Sequence, residues 1–267
     1  MSSFLPVWSH TRTTRPAPHI LGDNERHPPP MPFSRSLLRR LVRPVLLAHF
    51  AIYRRTIAAG IFPTVAAERV VDGEDPIRML FVGDIAVSGY GVLDESMAVP
   101  AQVAGCVGAR TGRGVAWDVV TDPSLTISEA AQHAVVTPGT DVVVVLLGIP
   151  DVLLGTDDER WRRSLRAIVG SARQAAGTST RVAIAGVPPM QDFRPIQPSG
   201  RALISAQVAR LNAVSAAVAD EMGADFVPFP DWRITEMYIE DAFSFRAMHR
   251  MWAQAIAPAL VGATAEV

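Results

Sequence analysis

The sequence predicts an α/β protein: a single doubly wound domain with a five-stranded parallel sheet, plus an N-terminal extension. From residue 77 onward, strand-like apolar runs alternate five times with helical patterns, and such alternation is typical of parallel sheets. The third run, DVVVVLLG at 141–148, is apolar after its first residue. A strand covered by helices on both faces has this composition. The length of 267 residues suits one large domain with extensions.

The strands are predicted in order from short apolar runs, each followed at once by glycine, threonine or proline. They are Arg78–Val82, Val115–Val120, Asp141–Leu147, Arg181–Ala185 and Asp225–Val227. In such sheets a ligand binds at the carboxyl ends of the strands, near the switch in strand order. The loops after these strands are therefore where a functional site is expected.

Three helices are predicted between and after the strands from apolar residues at 3.6-residue spacing. The apolar stripes are Trp161–Leu165–Ile168–Ala172–Ala175, then Ile204–Val208–Leu211–Ser215–Val218–Met222, and last Phe245–Met248–Trp252–Ile256–Leu260. Arginines at 160, 162, 163 and 166 occupy the opposing faces of the first of these helices. This cluster predicts a solvated helix face.

The N-terminal part of the chain has a different composition. Residues 1–35 are rich in Pro, Ser, Thr and Arg and are predicted to be a disordered head. Residues 36–76 are predicted to form an amphipathic helical segment and a linker, 77–261 the α/β domain, and 262–267 a tail. The apolar stretch 44–53 is too short to span a bilayer.

Charge is divided unevenly along the chain, although its formal net charge is only −1. Residues 1–60 contain nine arginines and two acidic residues, whereas residues 61–267 contain 16 arginines and 24 acidic residues. Three interpretations of residues 34–60 remain: a helix packed on its own domain, a helix on an anionic membrane surface, or a partner-binding helix. The sequence predicts a cytoplasmic or membrane-peripheral protein.

Composition and motifs exclude several classes of function. The chain contains no lysine, which excludes Schiff-base chemistry and a Walker-type phosphate site. Cys106 is the only cysteine, and there is no HExxH or CxxC spacing, so no metal site is expected. Gly83, Gly89 and Gly91 do not match a dinucleotide-binding fingerprint, so no cofactor is expected. The acidic domain argues against nucleic-acid binding.

The predicted loops contain short motifs in a fixed order. They are G-D-I-A-V-S-G at 83–89, T-D-P-S at 121–124, G-I-P-D at 148–151, G-V-P-P-M at 186–190 and D-A-F-S-F-R at 241–246. The first, within FVGDIAVSGYG at 81–91, is predicted to be a tight turn from a buried strand into a helix N-terminus. Such a corner presents free backbone N–H groups to whatever binds there.

In the order, spacing and flanks of these motifs, residues 77–261 resemble the SGNH (GDSL-type) esterases and acyl-hydrolases. The resemblance implies a three-layer, flavodoxin-like α/β/α domain. It also implies a mechanism in which a serine attacks an ester, a histidine oriented by an aspartate activates it, and a glycine N–H and an asparagine side chain help to hold the oxyanion.

Carried over position by position, the resemblance places other residues where this chemistry is expected. Ile85 occupies the nucleophile position, Thr121 the glycine position, Pro150 the asparagine position and Ser244 the histidine position. The two aspartates of the pattern are retained, Asp84 and Asp241. Both also have structural interpretations, Asp84 as an acceptor of turn N–H groups and Asp241 as a helix cap.

Two hypotheses for function follow, with a third beside them. The first is a pseudoenzyme of this esterase fold that binds a lipid, an acyl ligand or a protein partner, in a crevice lined by Ile85, Pro150, Pro188 and Met190. The second is a divergent ester hydrolase or acyltransferase that uses relocated residues, with Ser88 and His249 as rescue candidates. Without a catalytic role, Ser88 is expected to be a small residue in the first turn of a helix, and His249 a surface or half-buried side chain. The third is a scaffold that displays its N-terminal arm.

Overall fold

The computed structural model describes residues 47–48, 50–133, 136–192, 198–231, 233–239 and 242–261. The predicted head 1–35, the tail 262–267 and Asp241 lie outside the described residues. Those sequence predictions therefore stay predictions.

A six-stranded sheet forms the centre of the domain. Its strands are β1 (Val70–Val71), β2 (Ile77–Gly83), β3 (Val115–Thr121), β4 (Val142–Leu146), β5 (Arg181–Ala185) and β6 (Asp225–Val227), in the order β1-β3-β2-β4-β5-β6. Strands β2 to β6 run parallel, and β1 pairs antiparallel with β3 at the edge. The chain leaves β2 for β3 on one side and crosses to β4 on the other. The strand order therefore switches at β2, between Gly83 and Leu146.

The prediction of five parallel strands is confirmed, and the sheet adds one short antiparallel edge strand that was not predicted. Strand β1 has only two residues, too few for a period of two to appear in the sequence. It lies before residue 77, where the domain was predicted to begin. A second unpredicted element is a two-stranded hairpin of β7 (Tyr238–Ile239) and β8 (Ala242–Phe243) near the end of the chain.

Helices cover both faces of the sheet and give the domain three layers. The helices after the N-terminal one are α2 (Val99–Thr111), α3 (Ile127–His133), α4 (Ile149–Leu154), α5 (Asp158–Ala176), α6 (Pro198–Met222) and α7 (Phe245–Val261). Helices α2 and α7 pack on one face, around Phe81 and Trp252. Helices α3, α5 and α6 pack on the other, around Val143 and Leu165. The predicted apolar stripe of α5 is buried from Trp161 to Ala172.

The N-terminal helix, α1, covers residues 47–58, residue 49 being undescribed. Its inward face carries Phe50, Tyr53 and Ile57, and the last two are only 4% exposed. The phenol of Tyr53 donates a hydrogen bond to the carbonyl oxygen of Pro123 (3.1 Å), in the loop after β3. Of the interpretations of residues 34–60, the structure therefore shows packing of this helix on its own domain.

Among the described helices, the stretch Gly200–Met222 of α6 has the length and composition of a membrane span. In the fold, its residues Val208, Leu211 and Val218 are buried against the sheet and α5. A core helix of a globular domain meets the same criterion, so this feature carries no conclusion about a membrane.

Candidate functional site at the carboxyl edge of the sheet

The corner after β2 differs from the prediction in one respect. Residues 84–91 form consecutive turns and not a helix, since the first α-helix after β2 begins at Val99. Val87 and Ser88 donate backbone bonds to the Asp84 carbonyl (3.0 and 3.1 Å), which closes a single helical turn. Gly89 and Gly91 then take positive φ values of 74° and 82° and end it. At Gly91 an added Cβ would meet the ring of Phe245 at 2.1 Å.

Asp84 joins the first loop to the third. Its Oδ2 accepts hydrogen bonds from the backbone N–H groups of Gly148 (2.9 Å) and Ile149 (3.0 Å), and its Oδ1 accepts one from Ala86 (3.3 Å). The side chain is 1% exposed. Burial raises the pKa of Asp84 to about 7, against the lowering effect of these bonds. The expectation that Asp84 accepts turn N–H groups is confirmed.

A second buried carboxylate, Asp151, has a comparable structural task on α4. Its Oδ2 accepts a hydrogen bond from the Ile127 N–H (2.8 Å) at the start of α3, and its Oδ1 accepts one from the Thr156 hydroxyl (2.7 Å). Burial raises the pKa of Asp151 to about 6. Both carboxylates are therefore buried and bonded to groups of the protein itself at both oxygens, as expected of structural side chains.

The loops that follow β2, β3, β4 and β5 together form what we call the mouth (residues 84–91, 121–127, 148–155 and 186–190). The hydroxyls of Ser88 and Thr121 form a local network there. Their oxygens lie 2.6 Å apart, and each hydroxyl also lies within hydrogen-bond distance of the Asp84 carbonyl oxygen, at 3.2 Å and 3.1 Å. Thr121 is the last residue of β3 and pairs in register with Gly83. Sequence reasoning missed this network because it joins residues that are 33 positions apart.

Pro150 lies in the first turn of α4, which begins after Gly148. A proline is compatible with this place because the first N–H groups of a helix have no partner within it. Gly148 itself has a φ of 139°, and an added Cβ there would meet Val187 at 2.4 Å. Position 150 therefore offers neither a side-chain amide nor a backbone N–H to a bound oxyanion.

Ser244 caps the last helix, α7. Its hydroxyl oxygen accepts a hydrogen bond from the Ala247 N–H (3.2 Å), and its carbonyl oxygen accepts one from Met248 (3.2 Å). Ser244 thus caps α7 through its side chain, and the predicted capping role of Asp241, which lies outside the described residues, stays a prediction.

The expectation of a surface or half-buried His249 is wrong. The side chain is 1% exposed, and its Nε2 lies 3.0 Å from the carbonyl oxygen of Tyr90. Nδ1 is buried and has no partner among the described residues. Burial lowers the pKa of His249, so the ring is neutral. The burial of His249 could not be predicted from its neighbours in sequence, Met248 and Met251, because the turn at Tyr90 that covers it is 159 positions away.

Helix α1 covers the corner from outside. Tyr53, Ile57 and Leu153 form a buried apolar cluster, against which Ile85 and four other partly buried residues pack: Phe50, Phe62, Ile149 and Met190. The cluster thus joins α1 to the loops after β2, β4 and β5. Of the predicted crevice lining, Ile85 and Met190 belong to this cluster, and Pro150 is buried in α4. Hydrocarbon side chains of the chain itself therefore pack against the corner after β2.

An open cleft of about 720 Å³ lies at the same edge of the sheet, beyond β5. Its walls come from the loops after β5 and β6 and from α6, and they include Val187, Pro189, Phe226, Phe229 and Asp231. The Asn212 side chain, also in the wall, is bonded to both the N–H and the carbonyl of Val187 (2.8 and 3.1 Å). The cleft is therefore lined by apolar and polar groups in about equal measure, including Asp192 and Arg233, and the Asn212 amide in its wall is already engaged.

Among the residues that the structure describes, no serine is hydrogen-bonded to a histidine. Ser88 is bonded to Thr121 and to the Asp84 carbonyl, and His249 to Tyr90. The two rescue candidates are thus each occupied by other partners. A nucleophile and its base need hydrogen-bond reach of each other, about 2.6–3.2 Å.

Comparison with known proteins decides the family. The model of the GDSL-like lipase/acylhydrolase family matches residues 81–252. The chain belongs to this family. The match begins within β2 and ends within α7, so it contains the end of β2 and all of β3 to β6, and the resemblance seen in the sequence is confirmed.

Solved structures of similar fold support the same assignment. TesA matches with a TM-score of 0.51 at 18% identity, over 68% of this chain and 97% of its own. A catalytic mutant of an acetylxylan esterase from Geobacillus stearothermophilus gives 0.51 at 15% identity, over 71% and 95%. A G-D-S-L family protein from Veillonella parvula gives 0.52 at 14% identity, over 72% and 100%. At these identities the likeness concerns the fold alone. Among curated proteins no match was found.

Proposed function

We propose that this chain is a non-catalytic member of the GDSL-like family, a pseudoenzyme that acts by binding. One observation carries the proposal: Ile85 holds the corner after β2, where the family pattern expects a nucleophile, and it packs into the apolar cluster under α1. A hydrocarbon side chain has no lone pair with which to attack an ester.

The remaining positions support the same proposal. Proline at 150 cannot donate to an oxyanion, and Ser244 is engaged as a helix cap. Loss of a nucleophile or base in a triad enzyme costs about 10⁶ in turnover, and loss of an oxyanion donor about 10²–10³. These losses are not additive, but without a nucleophile at position 85 no acyl-enzyme can form there.

Binding is the function that remains compatible with this mouth. The side chains around Ile85 are apolar, so the ligands that suit this corner are a lipid, an acyl chain or an apolar surface of a protein partner. Tyr53 and Ile57 of α1 pack over the corner, whereas the cleft beyond β5 is open.

Hydrolysis of p-nitrophenyl esters by the purified full-length chain tests the proposal. We expect no turnover above that of buffer, because no serine of the described mouth has a base. The alternative, a divergent hydrolase or acyltransferase with relocated residues, predicts turnover that disappears in Ser88→Ala or His249→Ala. Turnover of that kind overturns the proposal. Leu203→Ala, on an exposed site of α6, serves as the control variant.

A second experiment restores the family residues. The double variant Ile85→Ser with Ser244→His is expected to fold but to remain inactive, since Pro150 supplies no donor and α1 still packs over the corner after β2. Addition of Pro150→Asn tests the oxyanion contribution separately. Activity in the double variant alone contradicts the roles assigned to Pro150 and α1.

A further inference from the structure

The N-terminal arm, defined here as residues 47–61, presents an unusual outer surface. The inward face of α1 is buried, but Leu47, Ile52 and Ile61 are 49%, 59% and 56% exposed. They account for three of the eight large hydrophobic residues that are exposed in the described part of the chain. Isolated exposed apolar residues are ordinary, but a group of them on one short segment marks an interaction site.

Arginines stand between these apolar side chains, and acidic residues are absent. Arg54 and Arg55 are exposed on α1. In the sequence, residues 26–67 contain seven arginines and no aspartate or glutamate. Residues 61–267, by contrast, contain 16 arginines and 24 acidic residues. Net positive charge is therefore found in the N-terminal part of the sequence, and the remainder is net acidic.

We infer that the outer surface of the arm binds an anionic phospholipid membrane. Arginine side chains pair with lipid phosphates, while exposed leucine and isoleucine enter the boundary between headgroups and acyl chains. An acidic protein surface would satisfy the arginines but would leave Leu47, Ile52 and Ile61 without an apolar partner. The acidic remainder of the domain is repelled by the same membrane, so only the arm faces it.

This mode of binding leaves the fold unchanged. Leu47, Ile52, Arg54 and Arg55 are exposed on α1 and Ile61 is exposed just after it, whereas Phe50, Tyr53 and Ile57 hold the inner face on the domain. The helix therefore lies between the lipid headgroups and the corner after β2. The inference rests on the proposed function in that it names the partner of a protein that acts by binding.

Vesicle flotation with the full-length chain tests the inference. We expect binding to vesicles of equal parts phosphatidylcholine and phosphatidylglycerol, and little binding to phosphatidylcholine alone. Each arginine at an anionic surface contributes about a fivefold gain in affinity, so Arg54→Ser with Arg55→Ser is expected to weaken binding about 25-fold at low salt. Ile52→Ser is expected to weaken binding at low and at high salt, because its contribution is apolar.

The matched control is Arg163→Ser with Arg201→Ser, which removes the same charge from exposed sites on α5 and α6. An equal loss of binding in this control shows attraction by net charge alone and overturns the inference. So does equal binding to both kinds of vesicle, or capture of an acidic protein without vesicle binding. Ester hydrolysis is measured on the same samples. If the chain hydrolyses esters and still binds anionic vesicles, the proposed function is overturned, whereas the inference of membrane binding by the arm is retained.

Discussion

At the scale of single residues, the polar groups of the mouth are bonded to one another. Asp84 accepts three backbone N–H groups, and Ser88 and Thr121 share a hydrogen bond of 2.6 Å. An active site needs at least one such group directed toward the space that a reactant enters. The aspartate of the family motif, Asp84, thus has a structural role in holding the loops together. The shifted pKa values of two buried groups, Asp84 and His249, make the burial of these side chains testable.

The first residue-scale prediction concerns Asp84. Its pKa is raised from 3.8 to about 7 in the folded state, so its contribution to stability is complete below pH 3.8 and is lost as the pH rises through about 7. The loss is on the order of 4 kcal/mol. We therefore expect the free energy of unfolding of the wild type, relative to Asp84→Asn, to fall between pH 4 and 8. Urea denaturation followed by circular dichroism measures it; a difference that grows with pH contradicts the assignment.

His249 is predicted to show the opposite dependence. Its folded pKa is lowered below the ordinary value of 6.5, so the stability it supplies is present above pH 6.5 and is lost as the pH falls below that value. In the same denaturation experiment, the stability of the wild type relative to His249→Gln is expected to rise between pH 5 and 8. The glutamine amide can still donate to the Tyr90 carbonyl. A difference that stays constant with pH shows that the ring is not buried in its neutral form.

At the scale of elements, a helix or strand could be predicted only where it was long enough to show a run or a regular spacing of apolar residues. The bounds of β5 and β6 match the sequence prediction residue for residue, because each is a compact apolar run closed by glycine or proline. Strand β1 and the β7–β8 hairpin escaped notice, since two-residue strands carry no period. The sequence predicts a helix N-terminus within residues 84–91. The structure has only one helical turn there, closed by the bond from the Ser88 N–H to the Asp84 carbonyl, because Gly89 and Gly91 take positive φ values and end it.

One element-scale prediction concerns the start of α7. Ser244→Ala removes the hydroxyl that accepts the Ala247 N–H, so we expect the free energy of unfolding to fall by about 1 kcal/mol. Ser244→Asp retains an acceptor at the same place and is expected to stay near the wild type. Urea denaturation compares the two. Equal losses in both variants contradict the capping role.

Another concerns the cover formed by α1. Ile57→Ala truncates a side chain that is 4% exposed, and a buried Ile→Ala change typically costs about 2–5 kcal/mol. We expect faster amide hydrogen exchange in α1 and in the corner at 84–91, while strands β2 to β5 keep their protection. Ile52→Ala, on the exposed face of the same helix, is the matched control. Unchanged exchange in Ile57→Ala shows that α1 does not depend on this packing.

At the scale of the whole molecule, the fold follows from the family pattern, but the state of the site follows from contacts between distant segments. The sequence indicated which residues occupy the loops, including Ile85 and Pro150. It could not indicate that helix α1, which precedes the α/β domain, would pack over the corner after β2. The packing of Ile85 with Tyr53 and Ile57 joins parts of the chain that no local spacing relates. The same holds for the burial of His249 beneath the Tyr90 turn.

The central claim is that no serine at this mouth can act as a nucleophile. Intact-protein mass spectrometry after incubation with a fluorophosphonate probe tests it most directly, with an active serine esterase as the positive control. We predict an unchanged mass for the full-length chain. A covalent adduct that peptide mapping places on Ser88, or on any other serine of the mouth, contradicts the claim.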